Sequence, residues 1–191
     1  FDRRVLEVLR QPLEEGRVTI ARAARTVAFP SRFILVAAMN PCPCGFAGDD
    51  RRVCHCTPGQ VHRYRNRLSG PLRDRIDLIV DVPAVPATLL TEPAGGEPSA
   101  AARQRVLAAR ARQQARGATL NVELRVNALR KYCQLDGAGR TLLREAIDAL
   151  GLSARAYHRV LKVARTIADL AAVDEIHAHH VAEALQYRLV E

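Results

Sequence analysis

The segment FILVAAMN, from Phe33 to Asn40, limits the possible folds of this chain more than any other. A continuous apolar run of this length, closed abruptly by Asn-Pro, is typical of a central strand buried on both faces of a parallel sheet. A second segment of the same type, IDLIVDV, extends from Ile76 to Val82. Since strands of this type belong to sheets covered by helices, the sequence predicts an α/β core in the first part of the chain.

Two shorter segments with alternating, β-rich sequences precede this run. The first, GRVTIAR, begins at Gly16, and the second, RTVAFP, ends at Pro30. Two such segments joined by a short connection predict a β-hairpin, with Arg22 and Arg25 near its tip. The first residues of the chain have helical periodicity, and this helix is expected to stop before Pro12.

The second half of the chain has a different composition and period. Residues 83–98 contain four prolines and the pair Gly95-Gly96, a composition typical of a linker. From Ser99 onward the pattern is helical, with an Arg-rich and Ala-rich helix followed by three more. We therefore predict an α/β region followed by an all-α region, divided into residues 1–82 with a Cys-rich insert at 41–57, a linker at 83–98 and a helical domain at 99–191.

The charge of the chain restricts its partners. The net charge is +9, and all but two of the 29 basic residues are arginines. Because a guanidinium suits bidentate contacts to phosphate, we expect an anionic partner such as nucleic acid or nucleotide. Arginine codon bias in a high-GC genome is an equal explanation for this composition.

The N terminus and the hydropathy of the chain indicate where the protein is located in the cell. The chain begins with Phe1 and not with Met, so it is expected to be a piece of a longer protein. It contains no apolar run of about eighteen residues and no N-terminal export pattern. We therefore expect a cytoplasmic protein without membrane association.

The cysteines predict a metal site. Four of the five cysteines form two C-x-C pairs separated by nine residues, namely Cys42, Cys44, Cys54 and Cys56. Four thiolates on one compact loop suit a structural, tetrahedral Zn²⁺ site, and a cytoplasmic setting argues against disulfides. Because zinc ligands are usually spaced C-x₂₋₄-C, an alternative is three cysteines with His55 or His62. Free thiols, a redox pair and an iron–sulfur cluster are further alternatives.

Three separated stretches of the chain, taken in order, resemble magnesium-chelatase-like AAA+ ATPases: LVAAMNPCPCG, RLSGPLRDRIDLIVDV and SARAYHRVLKVARTIADL. The likeness is greatest to the ComM/YifB group of that family. The resemblance implies a partial AAA+ core, with a β-hairpin before the sensor-1 strand, followed by a helical lid. It also implies that the phosphate-binding loop and the acidic Mg²⁺-binding strand precede Phe1, since neither motif occurs in this chain.

The resemblance assigns two residues of the α/β region to ATP hydrolysis. Asn40 matches the sensor-1 residue, whose amide would orient the attacking water. Arg75 matches the arginine finger, which one subunit inserts into the ATP site of its neighbour to stabilise charge in the transition state. An ion pair of Arg75 with Asp74 or Asp77 is the alternative, and Arg73 is a competing candidate for the finger.

Two further pairs of arginines gain roles from the same resemblance. Arg155 resembles the sensor-2 arginine of the helical lid, and Arg159, one helical turn further, would substitute or assist. In this family the hairpin before the sensor-1 strand projects toward the pore of the ring, so Arg22 and Arg25 are candidate contacts to the DNA backbone. A solvated helix face and a solvated turn are the respective alternatives.

The resemblance implies that the intact protein is a hexameric motor that uses ATP and Mg²⁺. Its implied partner is DNA, on which it would act as a translocase or branch-migration helicase when incoming DNA recombines. One alternative is a chelatase-type subunit that drives metal insertion or remodels a protein. Another is a zinc-stapled nucleic-acid-binding module without enzymatic activity. Because this chain has no phosphate-binding loop, we expect it to hydrolyse no ATP by itself.

Overall fold

A computed structural model of the chain describes residues 1–22, 25–86, 91, 95–117 and 120–188. The chain divides into two compact units, Phe1–Ile76 and Asp77–Glu191. The first unit contains helices and strands and the second is helical, which confirms the predicted order of an α/β region and an all-α region. Residues 87–90 and 92–94 of the predicted linker lie outside the described residues.

The first unit begins with two short helices that lead into a hairpin: α1 (Arg3–Val8), α2 (Arg10–Glu15), β1 (Arg17–Arg22) and β2 (Arg25–Pro30). The first helix ends at Val8, before Pro12 as predicted, and Pro12 lies in the first turn of the separate helix α2, where its missing N–H is tolerated. Gly16 ends α2 with φ at +64°, a left-handed conformation that favours glycine. Its carbonyl accepts a 2.7 Å hydrogen bond from the N–H of Ser31 and so closes the base of the hairpin.

The two strands pair in antiparallel register, which confirms the predicted hairpin. The first residue pair is Arg17 with Pro30, and the last is Arg22 with Arg25. The two arginines predicted near the tip therefore lie directly opposite each other at the end of the ladder. The two residues that connect them, 23 and 24, lie outside the described residues.

The predicted parallel sheet is not formed by the described residues. Within the described residues the only sheet is the two-stranded hairpin, and residues 33–40 and 76–82 form no strand. Ile34 and Val36 are 85% and 89% exposed. A parallel strand that is buried on both faces needs hydrogen-bonding neighbours and covering helices. The described part of the chain supplies neither to these two segments, so the prediction of strands there is wrong for this chain.

The rest of the first unit consists of irregular segments and two short helices, α3 (Pro58–Arg65) and α4 (Gly70–Arg73). Thr57 caps α3 in a capping box with Gln60, and Pro58 occupies its first position. Ser69 caps α4 by accepting from the N–H of Leu72, and the side chain of Leu72 is buried.

The second unit contains five α-helices among the described residues: α5 (Ser99–Ala115), α6 (Val126–Tyr132), α7 (Gly137–Leu150), α8 (Ala154–Leu170) and α9 (Ala178–Gln186). A 3₁₀ turn, Asn121–Glu123, lies between α5 and α6. Asp136 and Ser153 cap α7 and α8, as expected for these residue types. The helices bury one apolar core, which includes Leu143, Val160, Ala164, Ile176 and Val181.

A buried ion-pair network lies beside this core. Asp169 is 1% exposed and accepts hydrogen bonds from both terminal nitrogens of Arg116, at 2.6 and 2.5 Å. Arg165 is also 1% exposed and lies 3.1 Å from the same carboxylate. The side-chain amide of Asn121 donates to it at 2.8 Å. Asp169 therefore links α5, α8 and the 3₁₀ turn through one charge.

No described helix is both long enough and apolar enough to cross a lipid bilayer.

Candidate functional site

The loop that carries the four clustered cysteines is shaped by local hydrogen bonds and two glycines. The N–H of Gly45 donates to the carbonyl of Cys42 at 3.0 Å, and Gly45 and Gly48 have φ of +86° and +81°. Side chains rarely adopt such values, so glycine is required where the loop turns this tightly. The carboxylate of Asp49 then accepts from the N–H of Arg51 at 2.7 Å and returns the chain toward the second cysteine pair.

The sulfur atoms have the spacing of a tetrahedral metal site. The Sγ of Cys42 lies 3.3 Å from that of Cys44 and 3.7 Å from that of Cys54, and the latter two are 3.6 Å apart. All four Sγ atoms, with that of Cys56, lie within 4.8 Å of one another. Zinc bonded to four sulfurs at about 2.3 Å places those sulfurs about 3.8 Å apart, whereas a disulfide requires about 2.05 Å. The four thiols therefore fit a zinc ion and are not oxidised in pairs.

The alternative ligand set with a histidine is not the one that the structure assembles. The Nε2 of His62 lies 2.8 Å from the side-chain nitrogen of Asn66. The cluster of possible metal ligands in the described residues contains the four cysteines and neither His55 nor His62. Cys133, the fifth cysteine, is buried in the helical core of the second unit.

The four thiols differ in acidity. The pKa of Cys44 is lowered to about 6, first by a backbone hydrogen bond from Phe46 and then by the thiol of Cys42. A backbone hydrogen bond at Cys44 lowers the pKa of Cys56, but burial and the neighbouring sulfurs outweigh it and raise that pKa to about 12. Without a metal the cluster thus holds thiolate and thiol side by side. A divalent cation would allow all four sulfurs to carry their charge.

A site with four sulfur ligands has no open coordination position, so it is suited to a structural metal ion and not to catalysis. Val53, an apolar residue of the loop, is 75% exposed and adds no buried packing to the local hydrogen bonds of the loop. Zn²⁺ on the four cysteines would fasten together the two ends of residues 41–57. The Nε of Arg65 adds a contact from α3 to the carbonyl of Pro41 at 3.4 Å.

The predicted arginine finger is held within its own unit. The side chain of Arg75 is 8% exposed and forms an ion pair with Glu14 of α2. It also donates from Nη1 to the carbonyl of Pro71 at 2.6 Å. The ion-pair partner of Arg75 is therefore Glu14, and not Asp74 or Asp77 as predicted from the sequence.

Asn40 lies at the entrance to the cysteine loop. It is exposed, two residues before Cys42, and its side chain has no hydrogen-bond partner among the residues that the structure describes. It does not follow a strand, because residues 33–40 have no regular structure. Its amide is therefore accessible to a ligand, and its sensor-1 role stays a prediction.

The two lid arginines lie on consecutive turns of α8. Arg155 is exposed at the second residue of the helix. Arg159 forms an ion pair with Asp77, and its side chain is 19% exposed. Arg159 is therefore committed to a carboxylate of its own unit, and the sensor-2 role of Arg155 stays a prediction.

The hairpin arginines are the least enclosed of the predicted residues. Arg22 and Arg25 are both exposed, and neither has an ion-pair partner in the described part of the chain. Two guanidinium groups directly opposite on an antiparallel pair repel each other. The tip of the hairpin therefore favours an anionic partner.

Comparison with known sequence families assigns both units. The family described as "Magnesium chelatase, subunit ChlI" matches residues 1–90, and its C-terminal counterpart, "Magnesium chelatase, subunit ChlI C-terminal", matches residues 96–188. The chain belongs to the magnesium-chelatase-like family. The family resemblance inferred from three separated motifs is thereby confirmed.

Individual members of this magnesium-chelatase-like family match the chain from end to end. It is 47% identical over 190 residues to competence protein ComM of Haemophilus influenzae, and 44% identical over 193 residues to the uncharacterized protein YifB of Salmonella typhimurium. The YifB protein of Escherichia coli is 45% identical over 193 residues. These matches cover 98–100% of this chain but 37–38% of the relatives. The chain thus spans little more than a third of the length of the relatives it matches.

The magnesium-chelatase-like family is ATPase-like, and ATP and Mg²⁺ are the ligands that this suggests. The sequence contains no phosphate-binding loop of the G-x₄-G-K-[ST] type.

Sequence reasoning missed the carboxylates that hold two of the arginines. Glu14 lies 61 residues before Arg75, and Asp77 lies 82 residues before Arg159. No local spacing links such distant residues, so only the tertiary structure reveals the pairs. The four-cysteine cluster, whose members are close in sequence, was predictable.

Proposed function

We propose that the intact protein is a cytoplasmic, ATP-driven AAA+ motor that assembles as a hexamer and acts on DNA as a translocase or branch-migration helicase. The observation that carries the proposal is the pair of exposed arginines, Arg22 and Arg25, facing each other at the hairpin tip without a carboxylate partner in the described residues. Two adjacent guanidiniums that tolerate their mutual repulsion suit a polyanion. The name of the Haemophilus influenzae relative, competence protein ComM, agrees with DNA as the substrate and with recombination of incoming DNA.

In this proposal the chain supplies residues that act on a nucleotide bound by the rest of the protein. The amide of Asn40 orients the attacking water, and Arg75 stabilises the transition state in the neighbouring subunit. Arg155 contacts the γ-phosphate from the helical lid, with Arg159 in support. For Arg75 to reach a neighbour it has to exchange the carboxylate of Glu14 for phosphate oxygens, which a guanidinium can contact with two nitrogens at once. Zn²⁺ has a structural role.

The test is DNA-stimulated ATP hydrolysis by the intact protein, comparing wild type with Arg75→Ala at matched oligomer size and fixed salt. Loss of an arginine finger lowers turnover roughly a thousandfold or more. We expect DNA to stimulate the wild type and Arg75→Ala to abolish hydrolysis while nucleotide still binds. Arg22→Ala/Arg25→Ala should retain basal hydrolysis but lose the stimulation by DNA.

Two control variants separate the finger from its surroundings. Arg73→Ala removes an exposed arginine two residues away and should leave turnover intact. Glu14→Gln breaks the ion pair with Arg75 but keeps the guanidinium, so it should also retain hydrolysis. If Glu14→Gln is as inactive as Arg75→Ala, the arginine acts through its ion pair and the finger assignment fails.

A second candidate function keeps the fold and changes the substrate. The description of the matching family, magnesium chelatase, favours a motor that drives metal insertion or remodels a protein. If DNA neither binds to the intact protein nor changes its ATP hydrolysis, this candidate takes precedence. A zinc-stapled nucleic-acid-binding module without ATPase activity is the remaining candidate, and it requires DNA binding with no hydrolysis by the intact protein.

A further inference from the structure

A shallow groove beside the cysteine cluster is not used by any of the roles above. It has a volume of about 460 Å³ and is lined by Pro43, Gln60, Arg63, Tyr64 and Arg67. The last four lie at positions i, i+3, i+4 and i+7, which is one face of α3 continued into the turn that follows it. The opposite wall is Pro43, which lies between two of the metal-ligand cysteines. A metal ion on those cysteines would therefore fix the wall.

The groove lies in the most one-sided charge segment of the chain. Between Asp50 and Asp74 the sequence contains six arginines and no Asp or Glu. Arg63 and Arg67 are exposed, and neither has an ion-pair partner among the residues that the structure describes. The groove therefore presents two guanidiniums whose charge is not locally matched.

Two nearby negative charges do not neutralise this segment. A zinc ion on four thiolates carries a net charge of about −2, and the C terminus of α3 contributes about −0.5. The positive charge of the six arginines is larger than the sum of these two negative charges. Arg65 and Arg52 are already engaged, the first with the carbonyl of Pro41 and the second over the ring of Phe46 at 5.1 Å. Of the six arginines, Arg63 and Arg67 are the two that line the groove.

Tyr64 gives the groove an aromatic surface between these two charges. It is half-buried, and the guanidinium of Arg67 lies 5.7 Å from the centre of its ring. Clusters of arginine with an aromatic ring are how proteins hold single-stranded nucleic acid, since phosphates bind the cations and bases stack on the ring. A volume of this size holds a ligand of roughly nucleotide size but not the width of a duplex.

We propose that this groove binds a single strand of DNA, with phosphates on Arg63 and Arg67 and a base or sugar against Tyr64. It is a second contact, separate in sequence from the hairpin tip, and it rests on the proposed DNA-binding function. A strand emerging from a motor would be held at the cysteine loop as well as at the hairpin.

The test measures binding of a fluorescein-labelled single-stranded oligonucleotide, about 12 nucleotides long, to the whole chain with zinc bound. Fluorescence anisotropy is recorded over a range of salt concentrations for wild type, Arg63→Ala/Arg67→Ala and Arg103→Ala/Arg110→Ala. The last pair removes the same charge from exposed, unpaired positions of α5. Zinc content and circular dichroism verify that each variant folds.

We expect Arg63→Ala/Arg67→Ala to bind roughly tenfold more weakly and to show a log–log salt slope shallower by about 1.4, since each phosphate contact on a single strand contributes about 0.7. The α5 variant should retain the wild-type slope. Tyr64→Leu should weaken binding of the single strand more than binding of a duplex of the same length.

Each of three results would contradict single-strand binding in the groove. If wild type binds the oligonucleotide but the groove variant equals it, or if the α5 variant loses as much, the groove is not a site and the proposed DNA function stands. If wild type does not bind DNA at all, both the groove and the DNA contact of this chain in the proposed function fail. If polyglutamate of equal charge displaces the oligonucleotide as readily as unlabelled DNA does, the surface is one for acidic polypeptides and the nucleic-acid assignment is overturned.

Discussion

Each cysteine of the cluster contributes one sulfur to the same four-sulfur site, so the loss of one cysteine should disrupt metal binding by the other three. Cys42 is fully buried, and its Sγ lies within 3.7 Å of two of the other three. We expect Cys42→Ser to abolish stoichiometric zinc binding, measured by elemental analysis of protein purified with zinc. Cys133→Ser is the matched control, because Cys133 is also buried but lies in the helical core. Equal zinc content in both variants would contradict a four-cysteine site.

The acidity of the thiols predicts how zinc binding depends on pH. The pKa of Cys54 and that of Cys56 are both raised, so these two groups are protonated near neutral pH. Since zinc binds thiolates, binding should release at least about two protons, and the apparent affinity should rise at least about a hundredfold per pH unit. Affinity is lost as pH falls because protons then compete with the metal.

Proton release is measured directly by titrating zinc into metal-free chain in a weakly buffered solution with a pH indicator. Cys44, with its pKa of about 6, is already a thiolate at neutral pH and contributes little to the release. Uptake of zinc without proton release, or an affinity that does not change between pH 6 and pH 8, would contradict the assigned acidities.

At this scale the sequence predicted residue types well and their partners poorly. Cys42, Cys44, Cys54 and Cys56 were recognisable because the pairs lie close together along the chain. Glu14 was not recognisable as the partner of Arg75, because nothing in the sequence marks which of many carboxylates reaches a given arginine. A buried guanidinium needs a partner, and the tertiary structure determines which carboxylate that partner is.

At the scale of elements, the buried carboxylate of Asp169 joins three segments of the helical unit. Asp169→Ala would leave Arg165, itself 1% exposed, without its carboxylate. Loss of one partner from a buried ion pair costs about 3–5 kcal/mol, so we expect a large drop in the free energy of unfolding. The measurement is urea unfolding followed by circular dichroism.

The control for this prediction is Asp174→Ala. Asp174 forms an ion pair with Arg112, but its side chain is 93% exposed and its charge is solvated. Solvated pairs contribute little to stability, so this variant should unfold close to wild type. If the two variants unfold at the same urea concentration, the network around Asp169 contributes no more than a surface pair.

The sequence predicted four of the five helices described from Ser99 onward, whereas the buried strands predicted in the first part of the chain do not form. Helices α7 and α8 begin directly after their capping residues, Asp136 and Ser153, because caps and apolar periodicity act within the segment itself. The run from Phe33 to Asn40 carries a strand pattern but forms no strand, since a strand requires hydrogen-bonding partners from elsewhere. The hairpin formed because each of its strands supplies the partner of the other.

At the scale of the whole molecule, the two units are stabilised by different means. Among the described residues, the buried apolar side chains of the first unit are those of Pro12, Cys42 and Leu72, whereas the second unit buries a continuous apolar cluster. A unit with so little apolar burial depends on a metal staple or on neighbouring protein for its stability. Zinc should therefore stabilise one unit and not the other.

We predict that a strong zinc chelator unfolds the cysteine loop and α3 while the helical unit stays folded. Hydrogen exchange followed by mass spectrometry should show that amides of residues 41–68 lose protection on chelation. Amides of residues 126–186 should keep their protection, because the core formed around Val160, Ala164 and Ile176 contains no metal ligand of the cluster. Far-UV circular dichroism should accordingly retain most of its helical signal. If both units lose protection together, the chain folds as one cooperative body. If neither does, the cysteine loop is held by contacts other than a metal and the staple is not what stabilises it.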